Sequence, residues 1–392
     1  MMKLVALIEA ADHVCYRYRI EAFAWALAER GLELEPVPFR RGGLARIHQL
    51  RALRRADVTI LQRKLLPIWQ LRILRRAARC LIYDVDDALF CRDSYHRKPP
   101  ESWQRLARFW ATVYAADAIT VGNAHLEERV ASYVERERVH LIPTCVEPRA
   151  YPLARHERLG PGVRLAWIGQ KSTLPSLHRA QPQLAAAVGE GPPGLELRVI
   201  SDRFPTLSGV RVVPRPWSSA TEAAELAECD IGISWLPDDP WSRGKCGLKV
   251  LQYMAAGLPV VANPVGMNGR MVVDGRTGLL ASTPAEWAAA IRRLATNPGL
   301  RRHMGAAGRR LVEEQFSVAS WGPRFAATIA RAALVQLVPK LRLGTPPLRS
   351  IVLSPGTSRR GGSRPQVRSQ AELGTEVEWA PRTSQTSHGR AV

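Results

Sequence analysis

The sequence predicts an α/β protein with two doubly wound, Rossmann-like domains that face a central cleft. Short β-branched runs alternate with amphipathic helical stretches along the first half, which is typical of a parallel sheet covered on both faces. A second series of the same kind follows a Pro- and Gly-containing link at Pro148 to Gly162. With 392 residues, 46% of them hydrophobic, the chain can bury two cores of ordinary size.

The predicted first domain covers residues 1–150 and the second covers 151–316. In parallel sheets the carboxyl ends of the strands share one edge, so we expect both substrates to bind in the cleft at those ends. The predicted strands of the first domain are Lys3–Ile8, Leu34–Phe39, Val58–Gln62, Cys80–Val85, Ala118–Val121 and His140–Pro143, and its helices are Tyr18–Arg30, Leu44–Arg55, Ile68–Arg79, Trp103–Ala115 and Ala124–Val134. The predicted strands of the second are Arg164–Ile168, Leu195–Ile200, Val210–Val213, Ile231–Trp235, Pro259–Ala262 and Gly278–Leu280, followed by a helical segment over Thr283–Asn297.

The C-terminal residues differ in composition from the rest of the chain. From Val318 to Val338 the pattern is helical again, whereas beyond Pro339 it turns to Pro, Gly, Ser, Thr and Arg. Such a segment buries too little apolar surface to offset its chain entropy. The sequence therefore predicts a disordered basic tail over 339–392.

Cysteine usage and hydropathy exclude several classes of protein. The six cysteines show no CxxC or Cys/His spacing, which argues against a structural zinc site or a disulfide framework. Neither a signal peptide nor an apolar run long enough for a membrane span is visible. We therefore expect a cytoplasmic protein.

The most informative segment is a helix opened by Gly247, with Lys245 and Lys249 at its start and a buried strand after it. A helix N-terminus carries unpaired N–H groups and a partial positive charge, so two lysines there are unfavourable unless an anion lies beside them. Gln252 shares a helix face with Lys249, and the pair could hold a phosphate and a sugar hydroxyl together. The pattern predicts a diphosphate site; the alternative is a surface lysine paired with the aspartates at 238 and 239.

The segments that follow this helix, Pro-Val-Val-Ala-Asn263, Pro-Val-Gly-Met-Asn268 and Val-Val-Asp-Gly-Arg-Thr-Gly278, extend the pattern. Together they resemble the donor-binding domain of the retaining glycosyltransferases of family 4 (glycosyltransferase group 1), which have the GT-B fold. The resemblance is specific over about 235–316 and weaker over 1–235. It implies that a terminal helix at 317–338 returns to the first domain. In that family the helix carries two glutamates separated by seven residues, the second of which binds the donor ribose; here Gly244 and Gln252 occupy those places.

The resemblance implies an enzyme that moves a sugar from a nucleotide-diphosphate donor to a glycan, lipid-linked or cell-envelope acceptor with retention of anomeric configuration, and without a metal or other cofactor. Lys249 would stabilise the departing diphosphate. Two other functions stay open: a nucleotide-sugar epimerase of the same architecture and a sugar-nucleotide-binding protein without turnover. The expected donor-binding residues are Gly169, Lys171, Ser172, Lys245, Gly247, Lys249, Gln252, Gly266 and Asn268.

The turn from Trp167 to Leu174, after the first strand of the second domain, is a further phosphate candidate. Gly169 permits close approach of the backbone, and Lys171 and Ser172 could reach a phosphate. A plain strand-to-helix turn explains the same residues equally well.

A second chemical feature is an apolar strand that runs directly into Asp84, Asp86 and Asp87. Clustered carboxylates need a cation, an arginine or a shared proton. One interpretation is a Mg²⁺ or Mn²⁺ site of the Asp-x-Asp kind, as in GT-A glycosyltransferases. We favour acids that orient the acceptor hydroxyl, with Arg17 and Arg19 on the acceptor side satisfying them, because the lysines already supply the counter-charge for a diphosphate. A helix-capping cluster is the third interpretation.

The net charge of +21 is concentrated in one part of the chain. Twelve Arg or Lys and one Asp lie between Arg40 and Arg79, in two helices that also carry apolar residues. Basic amphipathic helices suit an anionic membrane surface, here the inner face of the cytoplasmic membrane. Packing of the apolar residues on the sheet is the alternative, and no motif specific for nucleic acid accompanies the charge. The apolar residues are Leu44, Ile47, Leu50 and Leu53 in one helix and Ile68, Trp69, Leu71, Ile73 and Leu74 in the other.

Overall fold

The computed structural model describes residues 1–157, 162–191 and 193–337, and these form two six-stranded parallel sheets. The strand order is β2-β1-β3-β4-β5-β6 in the first sheet and β12-β11-β10-β7-β8-β9 in the second. The strands are β1 (Met2–Ile8), β2 (Leu32–Pro38), β3 (Val58–Gln62), β4 (Cys80–Val85), β5 (Ala118–Val121), β6 (Val139–Leu141), β7 (Arg164–Ile168), β8 (Glu196–Ser201), β9 (Val212–Pro216), β10 (Ile231–Ser234), β11 (Val260–Ala262) and β12 (Gly278–Leu280).

Helices connect the strands and cover both faces of each sheet. Short 3₁₀ turns extend or join several of them, such as Glu21–Phe23 between the first two helices. The α-helices are α1 (Val14–Arg19), α2 (Ala24–Glu29), α3 (Gly43–Ala52), α4 (Ile68–Ala77), α5 (Trp103–Ala115), α6 (Ala124–Ala131), α7 (Pro175–Arg179), α8 (Gln181–Glu190), α9 (Glu222–Ala227), α10 (Pro240–Arg243), α11 (Leu248–Ala255), α12 (Met267–Met271), α13 (Pro284–Ala295), α14 (Pro298–Gln315) and α15 (Val318–Leu337).

The predicted fold class is confirmed by this architecture, and the strands at 58–62, 80–85, 118–121, 164–168 and 278–280 have the predicted bounds. The helix predicted over Tyr18–Arg30 is wrong in its start and continuity. It begins at Val14, because the side chain of His13 caps α1 by accepting from the backbone N–H of Cys15, and it breaks at Ile20. The predicted domain bounds stay a prediction, and the proposed tail at 339–392 lies outside the described residues.

Each sheet contains a point where the strand order reverses, between β1 and β3 in the first and between β7 and β10 in the second. Ligands of doubly wound sheets bind outside the carboxyl ends of the strands at such points. The loops after β1, β3, β7 and β10 therefore occupy the positions where the topology favours a site.

The last helix, α15, packs on the first sheet although it comes last in the described chain. Its Phe325 ring lies 5.0 Å from the Phe23 ring, centroid to centroid, in a core that includes α2 and the inner face of β1. A parallel bridge between Val146 and Ser317 marks where the chain crosses back.

The two basic helices, α3 and α4, divide their apolar residues between the core and solvent. Leu50, Leu53, Leu71 and Leu74 pack against the first sheet, which is the alternative the sequence left open. Leu44 on α3 and Ile68 and Trp69 on α4 are exposed instead. Within the described ranges, none of the helices has the length and hydropathy that a membrane crossing requires.

Candidate active site in the cleft

One cavity of about 610 Å³ lies between the carboxyl edges of the two sheets. Its wall combines loops after β1, β3 and β4 of the first half with loops after β7 and β10 and the start of α11 of the second. Most polar side chains of the candidate site line this cavity or form a hydrogen bond with a side chain that lines it. Of the predicted site residues, Arg19, Asp86, Asp87, Gly169, Ser172, Lys245, Gly247, Lys249, Gln252 and Asn268 line it, and Asp84, Lys171, Gly266 and Arg17 do not.

Gly247 caps the N-terminus of α11 in the left-handed region, at φ 70°. That conformation favours glycine, and a Cβ there would also lie 2.7 Å from Sδ of Met271. Because the N-cap residue is glycine, it offers no side chain to the first turn, and within the described ranges no other side chain is seen to cap it. Its free N–H groups and the positive end of its dipole therefore remain available to an anion in the cavity.

Two lysines bring positive charge to the same end of the helix. Nζ of Lys249 lies 4.6 Å from the centroid of the Trp167 ring and donates to Oγ1 of Thr173 at 3.4 Å, and among the described residues it has no carboxylate within ion-pair distance. Burial and the neighbouring ammonium of Lys245 lower the pKa of Lys249 to about 7. Lys245 lies over the Trp241 ring at 5.4 Å and contacts Asp87 only at 3.9 Å. Aromatic faces thus hold both ammonium groups, and Lys249, which has no ion-pair partner among the described residues, is available to an anion.

The turn after β7 closes on Lys249 from the other side. A Cβ on Gly169 would lie 2.8 Å from Nζ of Lys249 and 2.6 Å from Oγ1 of Thr173, so a larger residue here would displace these side chains. Ser172 follows on the cavity wall. Lys171 is exposed, and its backbone N–H donates to Asp202 at 2.7 Å. The structure therefore does not place the Lys171 side chain at the predicted phosphate site.

Asp84 is fully buried, and hydrogen bonds within the protein already occupy its carboxylate. The expected role of Asp84 in orienting an acceptor is therefore wrong. Its carboxylate accepts from Arg19 at 2.6 to 3.1 Å and from Oγ1 of Thr120 at 2.8 Å. Although burial would lower it, the pKa of Arg19 is raised by this contact with Asp84. Asp84 therefore supports the wall of the site instead of facing the cavity.

Asp86 and Asp87 line the cavity, and their partner is Arg63, not the predicted Arg17. The guanidinium of Arg63 lies 3.3 Å from Oδ2 of Asp86 and 2.5 Å from Oδ2 of Asp87. Oδ1 of Asp86 is buried, and no described residue forms a hydrogen bond with it. Burial, together with the charge of Asp87, raises the pKa of Asp86 although Arg63 opposes the shift.

Arg63 directly follows β3 at the point where the first sheet reverses. Its φ of 44° makes it the one residue other than glycine with positive φ in the described part of the chain. Such strain in a non-glycine residue persists where surrounding contacts enforce it, and it clusters at functional sites. The strained turn is what aims the guanidinium at Asp86 and Asp87.

Gln252 lies one turn into α11 and joins the two halves of the molecule. Its Nε2 donates to the hydroxyls of Tyr18 at 3.1 Å and Tyr151 at 3.3 Å. The Tyr18 hydroxyl donates to Oε1 of Glu222 at 2.7 Å, and Arg17 contacts the same oxygen at 3.0 Å. Arg17 is thus an interdomain partner of Glu222 and not of the aspartates.

The space around Gly244, the residue before Lys245, is too small for a side chain. A Cβ on Gly244 would lie 2.7 Å from both the backbone nitrogen and Cβ of Ala88. Asn123 fixes the same contact, because its Nδ2 donates to the carbonyls of Gly244 at 3.0 Å and Lys245 at 3.1 Å. Glycine at 244 therefore lets the segment that carries Asp86 and Asp87 pack directly against the start of the lysine helix.

The loop after β11 contributes one cavity residue. Asn268 is buried, and its Oδ1 accepts from Oγ of Ser234 at 3.1 Å at the cavity wall. Gly266, at φ 55°, caps α12 and packs near the carbonyl of Ser242, where a Cβ would lie 3.0 Å away. Gly266 shapes the loop, whereas Asn268 faces the site.

The part of the chain that the structure describes contains no preformed set of metal ligands. Within it, no group of three or more His, Cys, Asp or Glu is arranged to hold an ion. The Asp-x-Asp acids are instead divided between Arg19, which binds Asp84, and Arg63, which binds Asp86 and Asp87.

Three cavity residues, Arg63, Glu222 and Trp217, are not among the predicted site residues. The one usable signal for Arg63 is its place directly after a predicted strand, beside the strand that ends in the acids. Trp217 directly follows β9 and Glu222 begins α9, and only the fold brings them to the cavity.

Part of the chain is similar in sequence to a known protein family and to curated proteins. Residues 172–297 match the family described as Glycosyl transferases group 1. A curated relative, D-inositol 3-phosphate glycosyltransferase from Nocardia farcinica (strain IFM 10152), is 30% identical over 200 residues, which is 44% of this chain and 43% of that protein. The protein of the same name from Arthrobacter sp. (strain FB24) is 44% identical over 63 residues, 16% of this chain and 15% of that protein. The chain thus aligns with less than half the length of these relatives.

Among solved structures, sucrose-phosphate synthase (tll1590) from Thermosynechococcus elongatus superposes with a TM-score of 0.66 at 17% identity, covering 84% of this chain and 99% of that one. Anabaena Alr3699/HepE in complex with UDP and glucose gives 0.63 at 14% identity, covering 84% and 100%. At these identities the superpositions show the fold. They confirm the predicted two-domain architecture, and the family match confirms the resemblance on which it was based.

Proposed function

We propose that this chain, a group 1 glycosyltransferase with the GT-B fold, transfers a sugar from a nucleotide-diphosphate donor to an acceptor hydroxyl with retention of anomeric configuration. The observation that carries the proposal is Lys249. Its ammonium faces the cavity at an uncapped helix N-terminus, against an aromatic ring and with no carboxylate beside it in the described structure. A diphosphate supplies the missing counter-charge. The match to Glycosyl transferases group 1 and the UDP and glucose in the Alr3699/HepE structure support this choice.

The second half of the molecule would stabilise the leaving group. When the bond between the anomeric carbon and the diphosphate breaks, negative charge grows on the phosphate oxygens. Lys249, Lys245 and the first N–H groups of α11 are already oriented toward that charge, so little reorganisation accompanies the reaction. Gly169 lets the diphosphate approach the β7 turn closely.

The first half would hold the acceptor. Asp86 and Asp87 line the cavity beside Lys245 and would position an acceptor hydroxyl there. As the new bond forms on the face that the diphosphate leaves, the hydroxyl proton passes to a phosphate oxygen, so no side-chain base is required. The lysines provide the charge that a metal provides elsewhere, and we propose transfer without a metal requirement.

A lipid-linked acceptor would explain four exposed apolar residues in the first half of the molecule. Leu44, Ile68, Trp69 and Trp103 are 77%, 44%, 50% and 81% exposed. They lie in the first turns of α3, α4 and α5, three helices that directly follow β2, β3 and β4. These first turns therefore line the carboxyl edge of the first sheet, the edge at which the cavity opens. We call these four residues the mouth surface.

Charge complementarity favours an anionic bilayer as the partner of the mouth surface. Arg40 and Arg41 precede α3 and Arg72 lies on α4, and all three are exposed. Each basic residue near such a membrane contributes about 1 kcal/mol of attraction. We therefore propose a cytoplasmic enzyme at the inner face of the cytoplasmic membrane that acts on a cell-envelope precursor.

Turnover with and without acceptor tests the reaction. Nucleotide-diphosphate sugars are incubated with the protein and either a lipid extract or water-soluble glycans, and release of nucleoside diphosphate is measured. We expect release that depends on acceptor, survives chelation by EDTA and falls about 100- to 1,000-fold in Lys249→Ala. Sugar inversion on donor alone would instead indicate an epimerase. Binding without any turnover would indicate a sugar-nucleotide-binding protein, and EDTA-sensitive release would contradict the metal-free mechanism.

Vesicle co-sedimentation tests the membrane surface separately. We expect binding to phosphatidylglycerol vesicles at low salt, little binding to phosphatidylcholine, and loss of binding in a Trp69→Ser/Trp103→Ser double variant. Tyr114→Ser is the matched control, because Tyr114 is 60% exposed at the opposite end of α5. Equal binding by the double variant and the control would contradict the proposed surface.

A further inference from the structure

Five arginine and lysine side chains line the cavity, and three of them already have a carboxylate partner. The paired side chains are Arg19, Arg63 and Lys245, and their partners are Asp84, Asp86 and Asp87. The other two, Lys249 and Arg105, have no carboxylate within ion-pair distance among the described residues. Since the donor diphosphate would occupy the lysine end, Arg105 is left as a second cation without an anion.

Arg105 is half-buried in the first turn of α5, and its guanidinium is fixed from one side. Its Nε donates to the carbonyl oxygen of Leu89 at 3.1 Å. Leu89 belongs to the loop after β4 that carries Asp86 and Asp87, so this bond fastens the guanidinium to the acceptor side of the cavity. Neither Nη1 nor Nη2 forms a hydrogen bond with a described residue. The two nitrogens therefore keep the planar, forked geometry that binds two oxygens of one phosphate.

We infer that Arg105 binds a phosphate group of the acceptor. The inference rests on the proposed function, in which the acceptor hydroxyl lies at Asp86 and Asp87. These two carboxylates share Arg63, so a phosphate close to them would be repelled unless a further cation accompanied it. The first turn of α5 contains no acidic residue, and the helix dipole adds partial positive charge there.

The acceptor is thereby assigned to a chemical class, the phosphate esters. One source of such a group is a sugar phosphate free in solution, and the other is a phosphate carried by a lipid. Both present the same oxygens to Arg105, and they differ in what is attached to the phosphate. The probes below distinguish the two sources.

Calorimetric titration into protein saturated with a nucleoside diphosphate tests the inference. UDP, GDP and ADP are compared first, and the one that binds most tightly fills the lysine end, so that an added phosphate cannot bind there. Glucose 1-phosphate and hexyl phosphate are then titrated, with glucose and hexanol as their neutral counterparts. We expect at least one phosphate to bind more than about tenfold more tightly than its counterpart, and Arg105→Ala to weaken it about 10- to 100-fold. Tighter binding of glucose 1-phosphate would indicate a soluble source, and tighter binding of hexyl phosphate a lipid.

Arg138→Ala is the matched control. Arg138 is also half-buried, and its Nη2 donates to the carbonyl oxygens of Val113 and Tyr114, both at 3.2 Å, but it lies at the other end of α5 and is not part of the cavity wall. We expect no change in phosphate binding. Arg105→Lys, which keeps the charge and loses the fork, should give an intermediate loss. In Arg105→Ala the affinity for the nucleoside diphosphate alone should stay within twofold of the wild type, which a purely structural role would not give.

Three results would overturn the inference: a wild type that binds neither phosphate more tightly than its neutral counterpart, an Arg105→Ala protein that binds the phosphate within twofold of the wild type, or an equal loss of nucleoside diphosphate affinity in that variant. Should Arg105→Ala fail to fold, the same criteria apply to Arg105→Gln, which is polar but uncharged. A wild type that binds no nucleoside diphosphate, or binding that is unchanged in Lys249→Ala, would contradict the proposed function instead, so the two failures are distinguishable.

Discussion

The two halves of the molecule place opposite charges at the same cavity, and the contacts that hold these charges differ between the halves. The acids of the first half are neutralised within that half, because Arg19 binds Asp84 and Arg63 binds both Asp86 and Asp87. The lysines of the second half lie on tryptophan rings, and Lys249 has no carboxylate partner in the described structure.

The paired acids therefore maintain the shape of the site, whereas the lysines on the tryptophan rings are available to an anionic ligand. A carboxylate paired with a guanidinium is geometrically fixed and already compensated. An ammonium over an aromatic face is positioned, yet it remains uncompensated until an anion arrives. Changes on the acid side should therefore alter stability, and changes on the lysine side should alter binding.

The largest effect on stability should come from Arg63→Ala. This change leaves two nearly buried carboxylates without their cation, and breaking such a pair costs about 3 kcal/mol. Because Asp86 can then avoid the cost by taking up a proton, the difference in unfolding free energy from wild type should narrow as the pH falls from about 8 to 5. Urea unfolding across that range measures both quantities.

Arg79→Ala is the control for this effect. Arg79 pairs with Asp57 but is 58% exposed, so its loss should cost less than about 1 kcal/mol at any pH. An Arg63→Ala protein as stable as Arg79→Ala would show that the acids of the first half do not depend on Arg63.

The sequence predicts which residues meet at the start of α11, but it does not predict which residue pairs with the acids, for a physical reason. Gly247 and Lys249 are neighbours along one helix, so helical geometry alone brings them together at its N-terminus. The partner of Asp86 and Asp87 comes from another strand, and its identity depends on the order β3-β4 and on a strained turn at Arg63. From the sequence, Arg17 and Arg19 are equally plausible partners of the aspartates. In the structure Arg17 pairs with Glu222, and Arg19 pairs with Asp84.

A smaller effect is expected where the two sides touch. Gly244→Ala introduces a Cβ only 2.7 Å from the backbone nitrogen of Ala88, so the halves must separate locally. We expect a loss of about 1 to 3 kcal/mol in unfolding free energy, together with weaker nucleoside diphosphate binding. Gly189→Ala, in α8 with no atom near the new methyl, should be neutral or slightly stabilising. Equal stability of the two variants would contradict the close contact at Gly244.

The smallest effect is a pH dependence on the lysine side. With a pKa of about 7 for Lys249 in the free protein, the charge that attracts an anion is lost as the pH rises from 7 to 9, and binding must restore it. Affinity for a nucleoside diphosphate should fall by up to about tenfold per pH unit, with proton uptake on binding. The phosphate itself is already ionised above about pH 7. Lys249→Arg, which stays charged, should abolish the slope, and an equal slope in this variant would assign the titration to another group.

The central claim is that the start of α11 binds a diphosphate through Lys249. Calorimetric titration of a nucleoside diphosphate at pH 7 into the wild type, Lys249→Ala and the surface control Lys3→Ala tests it most directly. Lys3 is paired with Glu35 and 49% exposed, so its removal should not matter. We expect affinity about 10- to 100-fold weaker in Lys249→Ala and unchanged in Lys3→Ala. Binding by Lys249→Ala within twofold of the wild type would contradict it.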